Sequence, residues 1–413
     1  MNLQPLGNLE LLPEPDEPNI LTAIDQDAQG YAGNVYGVSD EEARKLRRII
    51  LPIKRLIWPW GALMFTVFVT FLIISWPLIS PLLSQALPDS EWAFEETGIR
   101  EMHNLGYFGT GIRVCMVDTG IDISHPDLEH LELAGFRDFY AEDHSNVRDI
   151  GSNLHGTLMS GILAANGSLV GAAPEISLSV AISLGPSGTS GQEGMVSQAI
   201  RWCRISQNAD IISLSLGANP GERIDDRSET AIAVKEAIED GIFVIAAAGN
   251  TGLDSSINDV SIPANVEGVI SVAATNKKGS IWPDSAIASN IDQYSESERV
   301  FPNQKPEISA PGVRLLSTYS TSPNNPLYAY SSGTSDSTVL VTGALALLLQ
   351  QYGDLIAGGD GVISYDELLR VKSSLALSTG TDIEGSGHDL QKGYGKLNVI
   401  AWGELIAIEF NPN

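Results

Sequence analysis

Four residues in separate segments of the chain carry side chains suited to nucleophilic catalysis: Asp118, His155, Asn250 and Ser335. Asp118 ends the apolar run RVCMV, and His155 opens the segment HGTLMSGILAA. A histidine that is oriented by a carboxylate can act as a general base toward a serine hydroxyl. An asparagine amide can donate to the oxyanion that then forms, a contribution of about 3 kcal/mol.

The Gly-Thr-Ser tripeptide occurs twice, at 188–190 and at 333–335. The second copy precedes STVLVTGALALLLQQYG, a pattern that predicts a strongly apolar and therefore buried helix. Ser335 would then lie at a helix N-terminus, where free N–H groups and the helix dipole favour an oxyanion. The first copy lies in the glycine-rich stretch GPSGTSGQEG, so we interpret Ser335 and not Ser190 as the nucleophile.

Each of these signals has a simpler explanation when it is taken alone. Asp-Thr-Gly also marks aspartic proteases, but that mechanism needs two facing aspartates. The sequence holds no second Asp-Thr-Gly or Asp-Ser-Gly, so an aspartic protease would require a symmetric dimer. A lone histidine at a helix start, such as His155, is usually structural, and an asparagine after glycine, such as Asn250, usually forms a turn.

The elements that must position these residues are predicted from short apolar runs that alternate with helical patterns. The strand-like runs are GIRVCMVD, ISLSVAISL, ADIISLSL, GIFVIAAAG and GVISVAAT, and the helical stretches are GTLMSGILAANG, EGMVSQAIRWCRIS and ETAIAVKEAIEDG. This alternation predicts an α/β fold with a parallel sheet covered on both faces. In such sheets the functional residues gather at the carboxyl ends of the strands.

The composition narrows the class of protein. A chain of 413 residues with 43% hydrophobic residues can bury a core, and a formal charge of −27 argues against nucleic-acid binding, which needs a basic face. The two cysteines are Cys115, in an apolar run, and Cys203, in a predicted helix. We expect both to be buried thiols, since neither a disulfide framework nor zinc-ligand spacing is evident.

The N-terminal segment predicts a membrane anchor. Residues 1–55 form an acidic tail that ends in a basic juxtamembrane stretch, and no charged residue lies between 56 and 88. Because about 20 apolar residues cross a bilayer, we predict a transmembrane helix over 56–84, with a buried globular helix as the alternative. The basic residues precede the run, so the positive-inside rule puts the N-terminus in the cytoplasm and the rest of the chain outside.

The remaining domain boundaries follow from that anchor. We predict a short linker over 85–91, a catalytic domain over 92–405 and a C-terminal tail over 406–413. A cleaved signal peptide would have a much shorter leader, so we expect a retained single-pass anchor. The predicted location is the cell membrane, with an extracellular or periplasmic catalytic domain.

The four segments together resemble those of the subtilisin-like serine proteases, the subtilase family. VDTGIDISHPDL resembles the family's aspartate block, HGTLMSGILAA its histidine block, AAAGN its oxyanion block and SSGTSDS its serine block, in the family's order. GAAPEISLSVAI, ISLSLG, KPEISAPGV and GYGKLNVIAW resemble its framework. The resemblance implies a three-layer fold with a mainly parallel central sheet, and a serine endopeptidase that acts on polypeptides without a catalytic cofactor.

The resemblance also assigns roles to residues. It implies that Ser335 attacks the scissile carbonyl, that His155 takes its proton and that Asp118 holds the imidazole. Asn250 and the N–H of Ser335 would form the oxyanion hole. An extended substrate would pair as an added strand and fill a pocket for the residue before the cut. The implied substrate-binding residues are Ser215, Leu216, Gly217, Ala248 and Gly249.

Two features depart from the family's usual pattern, and the resemblance leaves metal binding open. Asp336 follows the serine where the family usually has methionine, and its charge would slow catalysis if it faced the cleft and be nearly harmless if it faced away. Little chain separates the anchor from the domain, which predicts folding without an N-terminal pro-segment. The resemblance permits structural calcium without indicating ligands, and GDGVISYDELL predicts a capping box of Ser364 and Glu367 in place of an EF-hand.

Three functions are compatible with these features. The first is a membrane-anchored serine endopeptidase that cuts proteins outside the cytoplasmic membrane. The second is a catalytically weak or inactive relative that uses the same cleft to bind peptides. The third is a subunit of a larger membrane assembly, which the anchor and the tail segment LPEPDEPN permit.

Overall fold

The computed structural model describes residues 60–61, 63–76, 89–131, 133–141, 146–188, 193–218, 228–292, 295–359, 361–380 and 387–411. The chain divides into two compact units, Met1–Ala86 and Leu87–Asn413. The predicted acidic tail and basic stretch, 1–55, lie outside the described residues, as do 56–59 and 77–84 of the predicted transmembrane helix.

The described part of the first unit is one apolar helix, α1 (Leu63–Trp76). Its large apolar side chains are exposed, with Phe65 and Ile74 at 68% and 69% of their full accessible area. A helix that is apolar on all sides is typical of a protein core or of a membrane span. The predicted span over 56–84 extends beyond this helix and stays a prediction.

Within the described residues, one helix is long and apolar enough by composition to cross a bilayer, and it belongs to the second unit. This helix, Thr334–Ala357, has a mean hydropathy of 1.4, and 67% of its most apolar window is buried. Burial of this kind is expected of the central helix of a folded domain. It agrees with the prediction of a buried helix behind Ser335.

The second unit consists of alternating helices and strands. The helices are α2 (Glu91–Glu96), α3 (Ile99–Asn104), α4 (His155–Ala164), α5 (Glu193–Ile205), α6 (Glu229–Glu239), α7 (Thr334–Ala357), α8 (Tyr365–Leu377) and α9 (Val399–Phe410). The strands are β1 (Arg113–Asp118), β2 (Gly135–Asp138), β3 (Ser177–Ile182), β4 (Ile211–Leu214), β5 (Phe243–Ala247), β6 (Ile270–Thr275), β7 (Ile308–Pro311), β8 (Val313–Thr318) and β9 (Tyr328–Ser332).

Seven of these strands form a parallel sheet in the order β2-β3-β1-β4-β5-β6-β7. Helices α5 and α6 pack on each other and on strands of the sheet, whereas α7 packs against β4 to β7 together with α4 and α9. The chain runs from β1 to one side of the sheet and returns to the other side at β4. The carboxyl ends of β1 and β4 therefore flank the switch point where ligands bind in open α/β sheets.

The predicted α/β class and mainly parallel central sheet are confirmed, and all five predicted strands are present. Strands β2 and β7 of the sheet were not predicted, because Gly135–Asp138 and Ile308–Pro311 are only four residues long and lack a clear apolar run. The predicted tail over 406–413 is wrong at its start, since α9 continues to Phe410 and Ile406 is fully buried. Ser364 and Glu367 form the predicted capping box at the start of α8.

The prediction of two free thiols is wrong, because Cys115 and Cys203 form a disulfide. Cys115 lies on β1 and Cys203 on α5, and both side chains are fully buried where the helix covers the sheet. Their Cα atoms are 5.6 Å apart, within the usual range for a disulfide. Their sequence separation of 88 hides this proximity from the sequence.

A buried charge cluster lies where β7 meets α8. The carboxylate of Glu307 contacts Lys305 Nζ at 2.7 Å and Lys372 Nζ at 2.6 Å, and all three side chains are at most 1% exposed. Both ammonium groups also donate to the carbonyl of Val269. Burial lowers the pKa of Lys305 to about 7, against the charge of Glu307, which raises it. One carboxylate therefore compensates two buried cations.

We expect Glu307→Gln to lower the free energy of unfolding by about 3–5 kcal/mol, because it leaves two buried ammonium groups without a counter-charge. The measurement is urea unfolding of the full chain in detergent, in a Ser335→Ala background that prevents self-digestion. Glu409→Gln is the control, since it breaks the exposed pair with Arg370 and should lower stability by less than about 1 kcal/mol. Equal losses in the two variants would contradict the role of the cluster.

Candidate active site

The four residues singled out from the sequence lie on elements that meet at the carboxyl edge of the sheet. Asp118 is the last residue of β1, and His155 is the first of α4. Asn250 follows β5 by three residues, and Ser335 is the second residue of α7. His155, Asn250 and Ser335 line one cavity, and Asp118 is fully buried behind His155.

Asp118 and His155 form a direct hydrogen bond. Nδ1 of His155 lies 2.8 Å from Oδ1 and 3.0 Å from Oδ2 of Asp118. Oδ1 of Asp118 also accepts from the N–H of Thr119 at 2.7 Å. Because a carboxylate can only accept, Nδ1 of His155 carries the proton and Nε2 is left as the basic nitrogen of the neutral ring.

The position of His155 depends on an irregular start of α4. Leu154 at the N-cap is left-handed, with φ 51°, and caps no N–H with its side chain. Thr119 Oγ1 instead accepts from the N–H of Gly156 at 2.9 Å and donates to Asp149 Oδ1 at 2.7 Å. A Cβ on Gly156 would overlap the carbonyl oxygen of Gly120, so only glycine allows α4 to approach β1 this closely.

Asp149 completes this N-terminal cap from a separate loop. Its Oδ2 accepts from the N–H of Thr157 at 2.8 Å and from Thr157 Oγ1 at 2.7 Å. Burial raises the pKa of Asp149, while these hydrogen bonds and those from Thr119 and Gly151 lower it. Sequence reasoning missed Asp149 because it lies in a loop, SNVRDIG, with no periodic pattern.

His155 is the most strongly perturbed histidine of the described residues. Burial alone lowers its pKa, but the charge and hydrogen bond of Asp118 raise it, with further contributions from the charges of Asp336 and Asp149. The net effect raises the pKa of His155 to about 9. A general base must be neutral, so the free site gains its base as the pH rises through this range.

The Ser335 hydroxyl faces Ser215. Ser335 Oγ donates to the carbonyl of Ser215 at 3.2 Å, and Ser215 Oγ donates to the carbonyl of Ser335 at 3.3 Å. Within the described residues, no hydrogen bond joins Ser335 to His155. Catalytic hydrogen bonds often form only in the substrate complex, and here a rotation of the serine side chain would be needed.

Asn250 is oriented by Thr334. Its Oδ1 accepts from the N–H of Thr334 at 3.1 Å and from Thr334 Oγ1 at 2.9 Å. These two donors identify the oxygen end of the amide and leave Nδ2 free to donate into the cavity. Thr334 Oγ1 also accepts from the N–H of Gly249 at 3.2 Å. Thr334 belongs to the segment SSGTSDS that resembles the family's serine block, but its role in orienting Asn250 was not predicted.

The cavity beside these residues has a volume of about 340 Å³. Of the predicted substrate-binding residues, Ser215, Leu216, Gly217 and Gly249 line it. The remaining lining residues include two that no sequence signal marked, Leu184 and Ser261.

The prediction that Ala248 lines the cavity differs from the structure, in which Ala247 does so. Ala248 is fully buried, and its carbonyl accepts from the N–H of Ser261 at 2.7 Å. Side chains alternate in direction along extended chain, so an error of one residue changes the side of the chain that is exposed. Gly249 has φ +111°, and a Cβ there would overlap Ser261 Oγ.

The comparison with known families agrees with this geometry. Residues 109–395 match the Subtilase family. The chain belongs to the subtilase family. Its similarity to curated subtilases is moderate and spans most of the second unit.

Three similar subtilases illustrate the extent of the match. The chain is 36% identical to the major intracellular serine protease of Bacillus subtilis over 253 residues, which are 60% of this chain and 71% of that protein. It is 36% identical to the thermostable alkaline protease of Halalkalibacterium halodurans over 273 residues, 65% of this chain and 64% of that protein. It is 33% identical to subtilisin DY of Bacillus licheniformis over 302 residues, 72% of this chain and 92% of that protein.

As a subtilase with these relatives, the chain is a serine endopeptidase of subtilisin type. The resemblance in sequence is thereby confirmed at the level of the family. In the part of the chain that the structure describes, no group of three or more histidine, cysteine, aspartate or glutamate side chains is arranged to hold a metal ion. Structural calcium stays a prediction of the resemblance.

We expect Asn250→Ala to lower kcat by about 10²–10³ with little change in KM, as found for such a donor in subtilisin. Thr334→Val keeps the amide but removes one of its two donors, so kcat should fall by roughly tenfold. Thr342→Val, about two turns along α7, removes another fully buried hydroxyl and should leave kcat unchanged. The measurement is steady-state hydrolysis of a peptide substrate, and equal kcat values for the two valine variants would refute the orienting role of Thr334.

Proposed function

We propose that the chain hydrolyses peptide bonds of protein substrates with an Asp118–His155–Ser335 triad, while anchored to the membrane with its catalytic domain outside. The observation that carries the catalytic part is the hydrogen bond between Nδ1 of His155 and Asp118, on the wall of the cavity that also holds Ser335. A pseudoprotease that only binds peptides would need neither this pair nor the oriented amide of Asn250.

In the proposed mechanism, substrate binding brings Ser335 Oγ to Nε2 of His155. The oxygen attacks the scissile carbonyl carbon as Nε2 accepts its proton, and the imidazolium is stabilised by Asp118. The tetrahedral oxyanion accepts hydrogen bonds from Nδ2 of Asn250 and the N–H of Ser335. His155 then gives its proton to the leaving amine, and water hydrolyses the acyl-enzyme by the same steps in reverse.

The cavity supports an extended peptide as the substrate. The backbone after β4, at Ser215 to Gly217, borders the cavity and can pair with an added strand. The side chain that precedes the cut would enter the space between Leu216, Ala247 and Ser261. When the substrate binds, the hydrogen bond from Ser335 Oγ to the Ser215 carbonyl would break, and both groups would contact the substrate.

A fluorophosphonate probe applied to membranes tests the assignment of the nucleophile. We expect the wild-type chain to be labelled and Ser335→Ala not to be, because the probe reacts with an activated serine. Ser190→Ala, which alters the other Gly-Thr-Ser, is the matched control and should be labelled like the wild type. A correctly folded wild-type chain that hydrolyses no peptide and takes no label would support the peptide-binding alternative.

The anchoring part of the proposal is supported by two observations. The uncharged stretch from 56 to 88 contains α1, whose large side chains are exposed on all sides. The Cys115–Cys203 disulfide favours an oxidising compartment, since disulfides are rare in the cytosol. With the basic residues on the N-terminal side of the stretch, both observations favour a catalytic domain outside the membrane.

We expect the full chain to remain in the membrane pellet after carbonate extraction. The double variant Phe68→Lys/Phe71→Lys should shift to the supernatant, because each lysine costs about 3 kcal/mol in a bilayer. Leu105→Lys alters an exposed apolar side chain of the second unit and is the control. An N-terminus between Leu83 and Trp92 in mature protein from membranes would contradict retention of the anchor. Free thiols at Cys115 and Cys203 before reduction would contradict the outside location.

A further inference from the structure

The residue after the proposed nucleophile, Asp336, is buried beside the site. It is 1% exposed in the first turn of α7. Its Oδ2 accepts from Ser331 Oγ at 3.0 Å, whereas its Oδ1 is buried without a hydrogen-bond partner among the described residues. A buried carboxyl oxygen without a partner destabilises a protein, so local stability does not explain this side chain.

Asp336 lies near the two proposed oxyanion donors without lining the cavity. The position that a Cβ of Gly333 would take lies 3.5 Å from Asn250 Nδ2, 3.5 Å from Asp336 Oδ2 and 3.6 Å from the nitrogen of Ser335. Since both are 3.5 Å from that point, Asp336 Oδ2 and Asn250 Nδ2 lie within about 7 Å of each other. The side chain is 1% exposed and is not among the residues that line the cavity, so it does not face the open cleft but lies close behind the two donors.

The charged groups that affect the pKa values of Asp336 and His155 come from different elements of the fold. Burial raises the pKa of Asp336 to about 7, and the hydrogen bond from Ser331 and the charge of His155 lower it. His155 interacts with Asp118 on β1, with Asp149 in the loop before α4 and with Asp336 on α7. The charges of three carboxyl groups therefore raise the pKa of His155, and among the described residues Asp118 alone is hydrogen-bonded to it.

We propose that Asp336 restrains this enzyme: its carboxylate opposes the oxyanion held at Asn250 and Ser335, and it favours the protonated, inactive form of His155. The inference rests on the proposed triad. The first effect slows the chemical step, because like charges repel. The second lowers the fraction of neutral base at pH values below the pKa of His155, whereas above that pKa the same charge stabilises the imidazolium formed in the reaction, as Asp118 does. Asp336 acts through these groups and touches no reacting atom, so it is a rate-setting residue and not a catalytic one.

Asp336→Asn tests the restraint, because it removes the charge and keeps the shape and the acceptor for Ser331. We expect the acid limb of the kcat/KM profile, set by His155, to move down by about half to one pH unit, and kcat per labelled site to rise about 3–10-fold. Asp336→Ala should change both quantities in the same direction. Counting sites with the fluorophosphonate probe removes the effect of any unfolded fraction.

The control is Asp366→Asn, which removes an exposed first-turn carboxylate from α8 and should leave the profile unchanged. The inference would be overturned if both Asp336 variants kept the acid limb and the kcat per labelled site of the wild type. A lower kcat per labelled site in Asp336→Asn would also overturn it. If Asp336→Asn is labelled and the wild type is not, the restraint is supported in a stronger form. If no variant is labelled, the proposed triad itself fails and the inference fails with it.

Discussion

The hydrogen bond between Asp118 and His155 is the interaction on which the site depends. Asp118 is fully buried at the end of β1, where its side-chain oxygens accept, within the part of the chain that the structure describes, from the N–H of Thr119 and the imidazole of His155 alone. A buried carboxylate needs such partners, since desolvation disfavours its charge. The parallel sheet supplies the position, because β1 is an interior strand that pairs with β3 and β4, which are themselves buried.

A network of threonine and aspartate side chains holds the imidazole in place. Thr119 and Asp149 accept from the N–H groups of Gly156 and Thr157, so α4 can begin at the histidine without a cap from its N-cap residue. The hydroxyls of Thr119 and Thr157 both donate to Asp149. The same arrangement brings a second carboxyl group near His155, and Asp336 brings a third. These nearby negative charges raise the pKa of His155, so the imidazole accepts a proton more readily and gives it up less readily.

The two halves of the functional proposal have different physical foundations. Proteolysis follows from family membership and from the cavity, whereas membrane anchoring rests on hydropathy, exposure of α1 and the disulfide. The disulfide links β1, which carries Asp118, to α5 on the opposite face of the sheet from α7. It therefore joins the site's central strand to the layer that covers it.

The sequence by itself determined the α/β class, five of the seven sheet strands and the segments that carry Asp118, His155, Asn250 and Ser335. It did so because strand and helix periodicities and the catalytic motifs are local in sequence. Only the tertiary structure decided that Cys115 meets Cys203, that Asp149 caps α4, that Thr334 orients Asn250 and that Asp336 is buried close to the proposed oxyanion donors. Each of these contacts depends on a backbone direction or on the approach of distant segments, which packing sets and local pattern does not.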